Sequence, residues 1–387
     1  MKVSTVFGED RRRDLVFVLA TAAVSVALFL APTGFQSPFA PGASERVKAR
    51  VTAVDDANIQ SIGPVRYGEQ QLVIQVLSGR FKGRTLDTHN IMAGKLELDK
   101  YFSVGDTAFV VLDLSPDRTD IVWANVIDHY RLDATLFLFA LFALCLVAFA
   151  GWTGLKSLLS FVFAGTALIK FLLPAILHGW DPVWTAFAVV VALTAVTIFL
   201  VGGFTRKGMA AFVGAIGGVA ITAVLAFAFT RMFKIHGAVR PFTETLLYAG
   251  FGDLDLSGLF MAGIFLASSG AVLDLAMDIA AAMSEVVEQN PGIEKDALIR
   301  SGMIVGRAVV GTQTTTLLLA YTGGFTALLM TFIAQGVPLE NVLNMVFVSA
   351  ELVHTLVGSF GLVLVAPVTA IAGGLILPRL SSAPQKG

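Results

Sequence analysis

Two aspartates, Asp274 and Asp278, interrupt an apolar stretch, residues 256–283, that is long enough to cross a membrane. Their spacing of four residues places both carboxyl groups on one face of a helix. An ionised carboxylate in hydrocarbon costs roughly 2.5 to 17 kcal/mol, depending on how far its surroundings relax. Such a group needs a partner or a water-filled cavity, and its chemistry is the binding and release of a proton or a cation. We therefore take both aspartates as candidates for proton or ion coupling.

Each aspartate also has a purely structural interpretation. If Met283 lies near the cytoplasmic edge, Asp278 is about one and a half turns inside, where it can reach the interface or pair with Arg307. Asp274 lies about one turn deeper, where a neutral carboxyl could be hydrogen-bonded to a neighbouring threonine. The structural interpretation is easier for Asp278, so Asp274 is the stronger functional candidate.

The predicted helix that follows is rich in glycine and threonine. Thr312, Thr315 and Thr316 supply hydroxyl groups at the depth predicted for Asp274. With Arg307 as a charge partner near the cytoplasmic mouth, these groups predict a polar track through the bundle. The alternative is that the threonines only form hydrogen bonds that hold helices together.

Two pairs of glycines are spaced four residues apart in the apolar regions: Gly302 with Gly306, and Gly214 with Gly218. Small residues at this spacing let two helix backbones approach closely within a membrane. We predict a helix-packing role for all four glycines.

Glu351 and His354 are spaced three residues apart on a largely apolar predicted helix, which makes them secondary candidates. The pair could ligate a metal or relay protons, although two ligands do not make a metal site. On a helix that lies along the membrane surface, neither residue would need a function. The chain contains no nucleotide-binding loop, no Ser-His-Asp arrangement and no zinc motif, so we expect no metal and no cofactor.

The string Gly250-Phe251-Gly252-Asp253 matches the GxGD pattern of intramembrane aspartyl proteases. Such enzymes need a second aspartate on another span, so that two carboxyl groups share a proton. The only aspartates within predicted spans are Asp274 and Asp278, and both follow on the adjoining helix. We expect no enzymatic activity, and a protease ranks third among the functions considered.

The composition identifies the broad class of protein. Of 387 residues, 56% are hydrophobic and only 14% are charged, and the mean hydropathy is +0.78. Soluble domains carry about 25% charged residues, so the chain is predicted to be a polytopic membrane protein embedded in a lipid bilayer. The net charge of −1 argues against binding of nucleic acid.

The N-terminal region combines Arg11, Arg12 and Arg13 with a following apolar run. Residues 1–31 are predicted to form a transmembrane span or signal anchor, and a cleaved signal peptide is the alternative. In either case the arginines stay in the cytoplasm and the chain that follows is exported. Residues 32–45, which are rich in Pro, Gly and Ser, are predicted to be a linker.

Residues 46–130 are the one part of the chain that looks soluble. Short runs of alternating apolar and polar residues are separated by turn signals such as Gly63-Pro64. This pattern predicts a small exported all-β domain, either an antiparallel barrel or a sandwich.

Residues 132–378 are predicted to be a helical membrane domain, followed by a polar tail, residues 379–387. The fold class is therefore a mainly α-helical polytopic membrane bundle of eight to ten transmembrane helices with an exported β domain. After the first span, the predicted spans are 134–150, 155–174, 183–203, 209–232, 256–283 and 301–321. A short apolar segment at 325–334, a helix at 340–357 and an apolar segment at 360–377 complete the prediction.

Basic residues set the predicted orientation. Lys156, Arg206 with Lys207, and Lys295 with Arg300 fall on the cytoplasmic side, given a cytoplasmic N-terminus. Arg379 and Lys386 favour a cytoplasmic C-terminus and hence an even number of spans. Four residues fall on the outer side against the rule: Lys170, Arg231, Lys234 and Arg240.

Several stretches carry a family resemblance: Gly270-Ala-Val-Leu-Asp274-Leu-Ala-Met, Gly306-Arg307 with Gly311-Thr312, Leu317-Leu-Leu-Ala-Tyr321, and Leu356-Val-Gly358-Ser359-Phe-Gly361-Leu-Val-Leu. Together they resemble the YibE/F family of bacterial membrane proteins, over most of the chain. The resemblance implies a multi-pass protein of the bacterial inner or plasma membrane, more than it implies an activity. Asp274 fits the family pattern, whereas Asp278, Ala308, Thr315 and His354 depart from it.

The order of elements is also similar to that of SecD/SecF and the wider resistance-nodulation-division transporters. Members of that superfamily couple proton flow through membrane carboxylates to movement of an exported domain. This likeness favours a secondary transporter or export factor driven by protons, acting on an exported substrate. The alternative is a non-catalytic scaffold that presents the β domain and docks other membrane proteins.

Overall fold

The computed structural model describes residues 3–35 and 43–378. The chain forms two compact units, one within Phe35–Cys145 and the other within Met1–Gly34 and Leu146–Gly387. The first is built mainly from β-strands and the second from helices, which confirms a mostly helical chain with a separate β domain. The middle of the predicted linker and the whole polar tail, with Arg379 and Lys386, lie outside the described residues.

The β domain is one antiparallel sheet of five strands in the order β3-β2-β1-β4-β5. The strands are β1 (Ser44–Ile62), β2 (Val65–Val76), β3 (Thr85–Ala93), β4 (Thr107–Leu114) and β5 (Ile121–His129). Alternate residues of β1, such as Val47, Ala49 and Val51, are buried because successive side chains point to opposite faces. The Thr88 hydroxyl donates to the Ala124 carbonyl at 2.6 Å, so the two edge strands meet and the sheet curls toward a barrel.

The turn between β4 and β5 is organised around one carboxylate. Asp117 accepts hydrogen bonds from the hydroxyls of Ser115 and Thr119, the latter at 2.6 Å. These donors stabilise the charged form and lower the pKa of Asp117 to about 2, with the Ser115 hydroxyl as the largest cause.

A pH dependence of the β domain follows from Asp117. Because its pKa is lowered on folding, the stabilisation is present above the ordinary value of 3.8 and is lost as the pH falls toward 2. Calorimetry of the full chain in detergent should therefore show a β-domain transition that drops between pH 4.5 and about 2.5 less steeply in Asp117→Asn than in the wild type. Asp87→Asn, on β3, is the control; an equal effect of both substitutions would contradict the assignment.

The second unit consists of helices, with the first fourteen residues of α2 belonging to the β unit. The helices are α1 (Val3–Leu30), α2 (Leu132–Ala167), α3 (Leu173–Leu177), α4 (Pro182–Gly202), α5 (Arg206–Met232), α6 (Thr243–Tyr248), α7 (Leu256–Gln289), α8 (Lys295–Gly323), α9 (Thr326–Ala334), α10 (Leu339–Asn344) and α11 (Val346–Ile376). A π-helical turn, Leu168–Leu172, joins α2 to α3. Within the described ranges, seven helices are long and apolar enough to cross a membrane.

One of these seven is broken in the middle. Gly151 in α2 has φ 55° and ψ −127°, which is not helical, and a Cβ on Gly154 would overlap the Leu146 carbonyl. In a straight helix those two residues would be about 12 Å apart, so the chain bends sharply here. The pieces 132–150 and 152–177 agree with the predicted pair of spans, and each is close to the length that a bilayer requires.

The predicted boundary near the C-terminus is wrong. The sequence predicts one helix over 340–357 and a separate apolar segment over 360–377, but α11 runs without interruption from Val346 to Ile376. The break falls instead at Met345, which has φ −66° and ψ 132°. Gly358 and Gly361 do not end the helix because both lie close to side chains of neighbouring helices, and at Gly361 a Cβ would overlap Thr222.

The core of the helical unit is formed by α4, α5, α7, α8 and α11. One face of α7 is fully buried and includes Phe265, Val272, Leu275 and Ile279. All four predicted packing glycines lie at helix contacts of this core. Gly302 and Gly306 face Met283, Ala370, Ile279 and Ala366, and Gly214 and Gly218 face Thr369, Val365 and Val272.

Three polar contacts join the ends of helices. Lys156, at the start of the second piece of α2, pairs with Asp14 of α1 at 2.6 Å. Arg206, at the start of α5, donates to the Pro378 carbonyl after α11 at 3.1 Å. Lys170 donates to the carbonyl of Ala31, at the other end of α1, at 3.3 Å.

Candidate functional site

A buried ionic cluster lies at the beginning of α11. Glu351 and His354, three residues apart, both point toward the loop between α5 and α6, where Arg240 is located. The Arg240 guanidinium forms an ion pair with the Glu351 carboxylate and approaches His354 Nδ1 at 2.6 Å. The side chains of Glu351 and His354 are only 13% and 10% exposed, and that of Arg240 is 32% exposed. The spacing along the chain identified Glu351 and His354 as a pair but did not identify Arg240 as their partner.

The geometry defines the proton arrangement of the histidine. A guanidinium can only donate hydrogen bonds, so His354 Nδ1 must accept and carries no proton while Arg240 is in place. The ring is then neutral, with its proton on Nε2. Glu351 Oε2 lies 3.8 Å from the same Nδ1, so a protonated His354 would face a carboxylate already next to it.

Two buried polar atoms beside the cluster have no hydrogen-bond partner among the described residues. They are His354 Nε2 and the hydroxyl of Tyr321 on α8. The two rings stack, with centroids 4.5 Å apart and planes 28° apart. An unsatisfied buried polar group costs about 1–3 kcal/mol, and most buried polar groups have a hydrogen-bond partner. Together with the ion pair, these two atoms make this the candidate site.

An apolar cavity of about 280 Å³ adjoins this cluster. Helices α8, α9, α10 and α11 line it with leucines, valines and Phe325, while Tyr321 and Glu351 provide its polar edge. The Arg240 guanidinium also lies 5.8 Å from the ring centroids of Phe260 and Phe325, which shield it from solvent. An apolar space with a few convergent polar groups is typical of ligand-binding sites.

The first-ranked candidates, Asp274 and Asp278, lie elsewhere. Both are on the exposed face of α7, and in the part of the chain that the structure describes neither carboxylate has a hydrogen-bond or ion-pair partner. The predicted pairing of Asp278 with Arg307 is not formed. Asp274 also makes no hydrogen bond to a neighbouring threonine.

The remaining candidates on α8 are exposed as well: Arg307, Thr312, Thr315 and Thr316. Thr312 and Thr316 donate to carbonyls of their own helix, those of Val309 and Thr312. The predicted polar track therefore lies on the outer surface of the helical unit and does not run through its interior.

The two-aspartate geometry that an intramembrane protease would need is not formed within the described ranges. Asp253 is exposed in the loop before α7. Asp274 follows eighteen residues after Leu256, the first residue of α7, and so lies about 27 Å along the helix. Two carboxyl groups at such a separation cannot share a proton.

Arg240 and Tyr321 were not among the predicted site residues, and only Arg240 had a partial signal in the sequence. Arg240 was one of four basic residues on the outer side, against the charge rule. The structure accounts for three of the four: Arg240 pairs with Glu351, Lys170 donates to Ala31, and Arg231 lies 3.9 Å from the centroid of Phe227. A basic residue on the outer side of the membrane, such as Arg240, together with an acidic residue predicted at the same membrane depth, such as Glu351, would have indicated the ion pair.

The fold and site define a class of multi-helix protein with apolar helices of membrane-spanning length, a buried ionic cluster at one helix end, and a separate β domain. Within that class, the chain belongs to the YibE/F-like protein family, whose sequence model matches residues 138–379 and confirms the resemblance noted from the motifs. The match includes all the candidate residues discussed above but not the β domain. No curated protein and no solved structure matches the chain.

Proposed function

We propose that the chain is a multi-pass protein of the bacterial cell membrane that acts as a secondary transporter or export factor coupled to protons. Eight helical segments would cross the bilayer: α1, the two pieces of α2, α4, α5, α7, α8 and α11. With a cytoplasmic N-terminus, this count places the β domain outside the cell and the C-terminus inside.

The contacts between helix ends support this arrangement. The Lys156–Asp14 pair and the Arg206–Pro378 contact each join two chain ends that the eight-span path puts in the cytoplasm. The Arg240–Glu351 pair joins two ends that the same path puts outside. Each contact thus links segments on one side of the membrane, as an alternating path requires.

The observation that carries the function is the unsatisfied, buried His354–Tyr321 pair beside the Arg240–Glu351 ion pair. His354 Nδ1 can accept either a proton or the Arg240 guanidinium, but not both. A proton that enters from outside would displace Arg240, and the resulting imidazolium would take its place beside Glu351. Since Arg240 belongs to the loop between α5 and α6, this exchange would couple protonation to movement of that loop over the adjacent cavity.

Asp274 remains our candidate for a second protonation step near the cytoplasmic side. Its depth suits that role, and the resemblance to the YibE/F family includes this position. A non-catalytic scaffold is the competing function, and the outward-facing polar residues of α7 and α8 favour it, because docking partners cover such faces.

Proton movement can be tested without knowledge of the substrate. Proteoliposomes on a solid-supported membrane should give a transient current when the outer pH is changed rapidly from about 7.5 to 6. The current arises because a proton that binds to the protein moves part of the way across the membrane potential. Glu351→Gln and His354→Gln should each reduce this current at least tenfold, because each removes a partner in the exchange. Asp274→Asn should remove any sustained current that follows.

Glu340→Gln is the matched control, because Glu340 is an exposed glutamate on α10, close in sequence to the cluster but outside it. Its current should equal that of the wild type. Wild-type currents no larger than those of empty liposomes would reject proton coupling and favour the scaffold.

A further inference from the structure

The neighbouring helices α7 and α8 both carry exposed polar residues, and we call this set of residues the acidic–threonine face. On α7 it contains Asp274 and Asp278, and on α8 it contains Arg307, Thr312 and Thr315, all exposed. In hydrocarbon this face would present three ionisable groups with no partner in the described part of the chain. Ionisable side chains within spans almost always face protein or water, so the face requires a cover.

The register between the two helices fixes which groups share a depth. A Cβ on Gly302 would meet Met283, and a Cβ on Gly306 would meet Ile279, so α7 and α8 run antiparallel with these residues level. One residue after Gly306 on α8 and one residue before Ile279 on α7, Arg307 is level with Asp278. By the same register, Asp274 is level with residues 311–312, and therefore with the Thr312 hydroxyl.

The charges of the face are complementary to those of a copy of itself. A two-fold axis parallel to the membrane normal preserves depth, and it places α7 of one copy opposite α8 of the other. Under this operation each Asp278 meets the Arg307 of the other copy, and the contact occurs twice because the interface is isologous. Each Asp274 then meets the hydroxyl-bearing level of the opposite α8.

The backbone also permits this approach. Gly270 on α7 and Gly311 on α8 are exposed on the same face, and a Cβ built on either would meet no atom within 4 Å. Exposed glycines let the helix backbones of two copies approach closely, and the distance between polar side chains of the two copies is then short. The openness of these positions contrasts with Gly302 and Gly306, which are already filled by neighbours in the same chain.

We propose that the chain forms a homodimer within the membrane through this face, with Asp278 of each copy paired to Arg307 of the other. The pairing explains why two opposite charges at one depth remain separate within a single chain. It also removes three ionisable groups per copy from contact with lipid.

Single-molecule photobleaching of fluorescently labelled full-length protein in lipid vesicles, at low protein density, tests the proposal. The wild type should bleach mostly in two steps. Asp278→Arg and Arg307→Asp each place like charges together, and each should weaken dimerisation at least tenfold. The double variant Asp278→Arg/Arg307→Asp should restore dimerisation, because it exchanges the charges without altering their sum.

Asp253→Arg, a charge reversal in the exposed loop at the opposite end of α7, should leave the dimer unchanged. Thermal unfolding of every variant checks that the fold is kept, and the double variant keeps the proposal testable if one single variant fails to fold. A wild type that bleaches in one step overturns the proposal, as does a double variant that stays monomeric while folded. Two-step bleaching that no reversal weakens would place the interface on another face and equally overturn it.

Discussion

Arg240→Leu is expected to destabilise the helical unit by about 2–4 kcal/mol, because it leaves the Glu351 carboxylate without its counter-ion in a nearly dry site. Removing one member of a fully buried pair costs about 3–5 kcal/mol, and the partial exposure of Arg240 reduces that figure. His354 Nδ1 would also lose its donor. Chemical unfolding in detergent micelles would measure the loss.

A double variant separates the ion pair from simple packing. Arg240→Leu combined with Glu351→Gln removes both charges, and it should recover more than half of the stability lost by Arg240→Leu alone, because no unpaired charge stays buried. Arg231→Leu is the control, since Arg231 is exposed and lies over the ring of Phe227. A loss for Arg231→Leu as large as that for Arg240→Leu would contradict the role of the ion pair.

Gly361→Ala is the second large prediction, with an expected loss of about 2–3 kcal/mol from overpacking between α5 and α11. A Cβ at this position would overlap the hydroxyl of Thr222, which is fully buried and donates to the Gly218 carbonyl at 2.9 Å. The helices must separate or Thr222 must leave its rotamer, and either change disturbs the contact between α5 and α11. Thermal unfolding of the detergent-solubilised protein is the measurement.

The structure offers both a rescue and a control for Gly361→Ala. Adding Thr222→Ala removes the overlapping hydroxyl and should recover part of the loss. Gly263→Ala, on α7, adds a methyl group where no atom lies within 4 Å, so it should be neutral or stabilising by up to about 1 kcal/mol. If Gly263→Ala were as harmful as Gly361→Ala, the loss in Gly361→Ala would not come from overlap with Thr222, and the packing assignment would be rejected.

The proposed proton site and the proposed Asp278–Arg307 contact lie at different depths of the helical unit. The Arg240–Glu351 cluster is at the start of α11, whereas Asp278 is level with Arg307, near the Gly302–Met283 contact. Helix α8 carries residues of both, with Tyr321 near its C-terminal end and Arg307 near its middle, about 21 Å away along the helix.

Local features of the sequence determined the elements. The predicted spans 183–203 and 209–232 agree with α4 and α5 within a few residues, since helix length and hydropathy are properties of contiguous segments. The alternation of Val47, Ala49 and Val51 with charged residues likewise predicted β1. The GxGD string shows the limit of such local evidence, because its aspartate lies far from any second carboxylate.

Only the tertiary structure decided which groups meet. Arg240 and Glu351 are more than a hundred residues apart, and no periodicity links them. Whether Asp274 faces the interior or the outside depends on which side of α7 its neighbours cover, and a sequence of uniformly apolar residues does not record that choice. Tertiary contacts also explain why α11 continues through Gly358 and Gly361. Local helix propensity predicts a break at these glycines, but they pack near Ser268, Tyr321 and Thr222 of neighbouring helices.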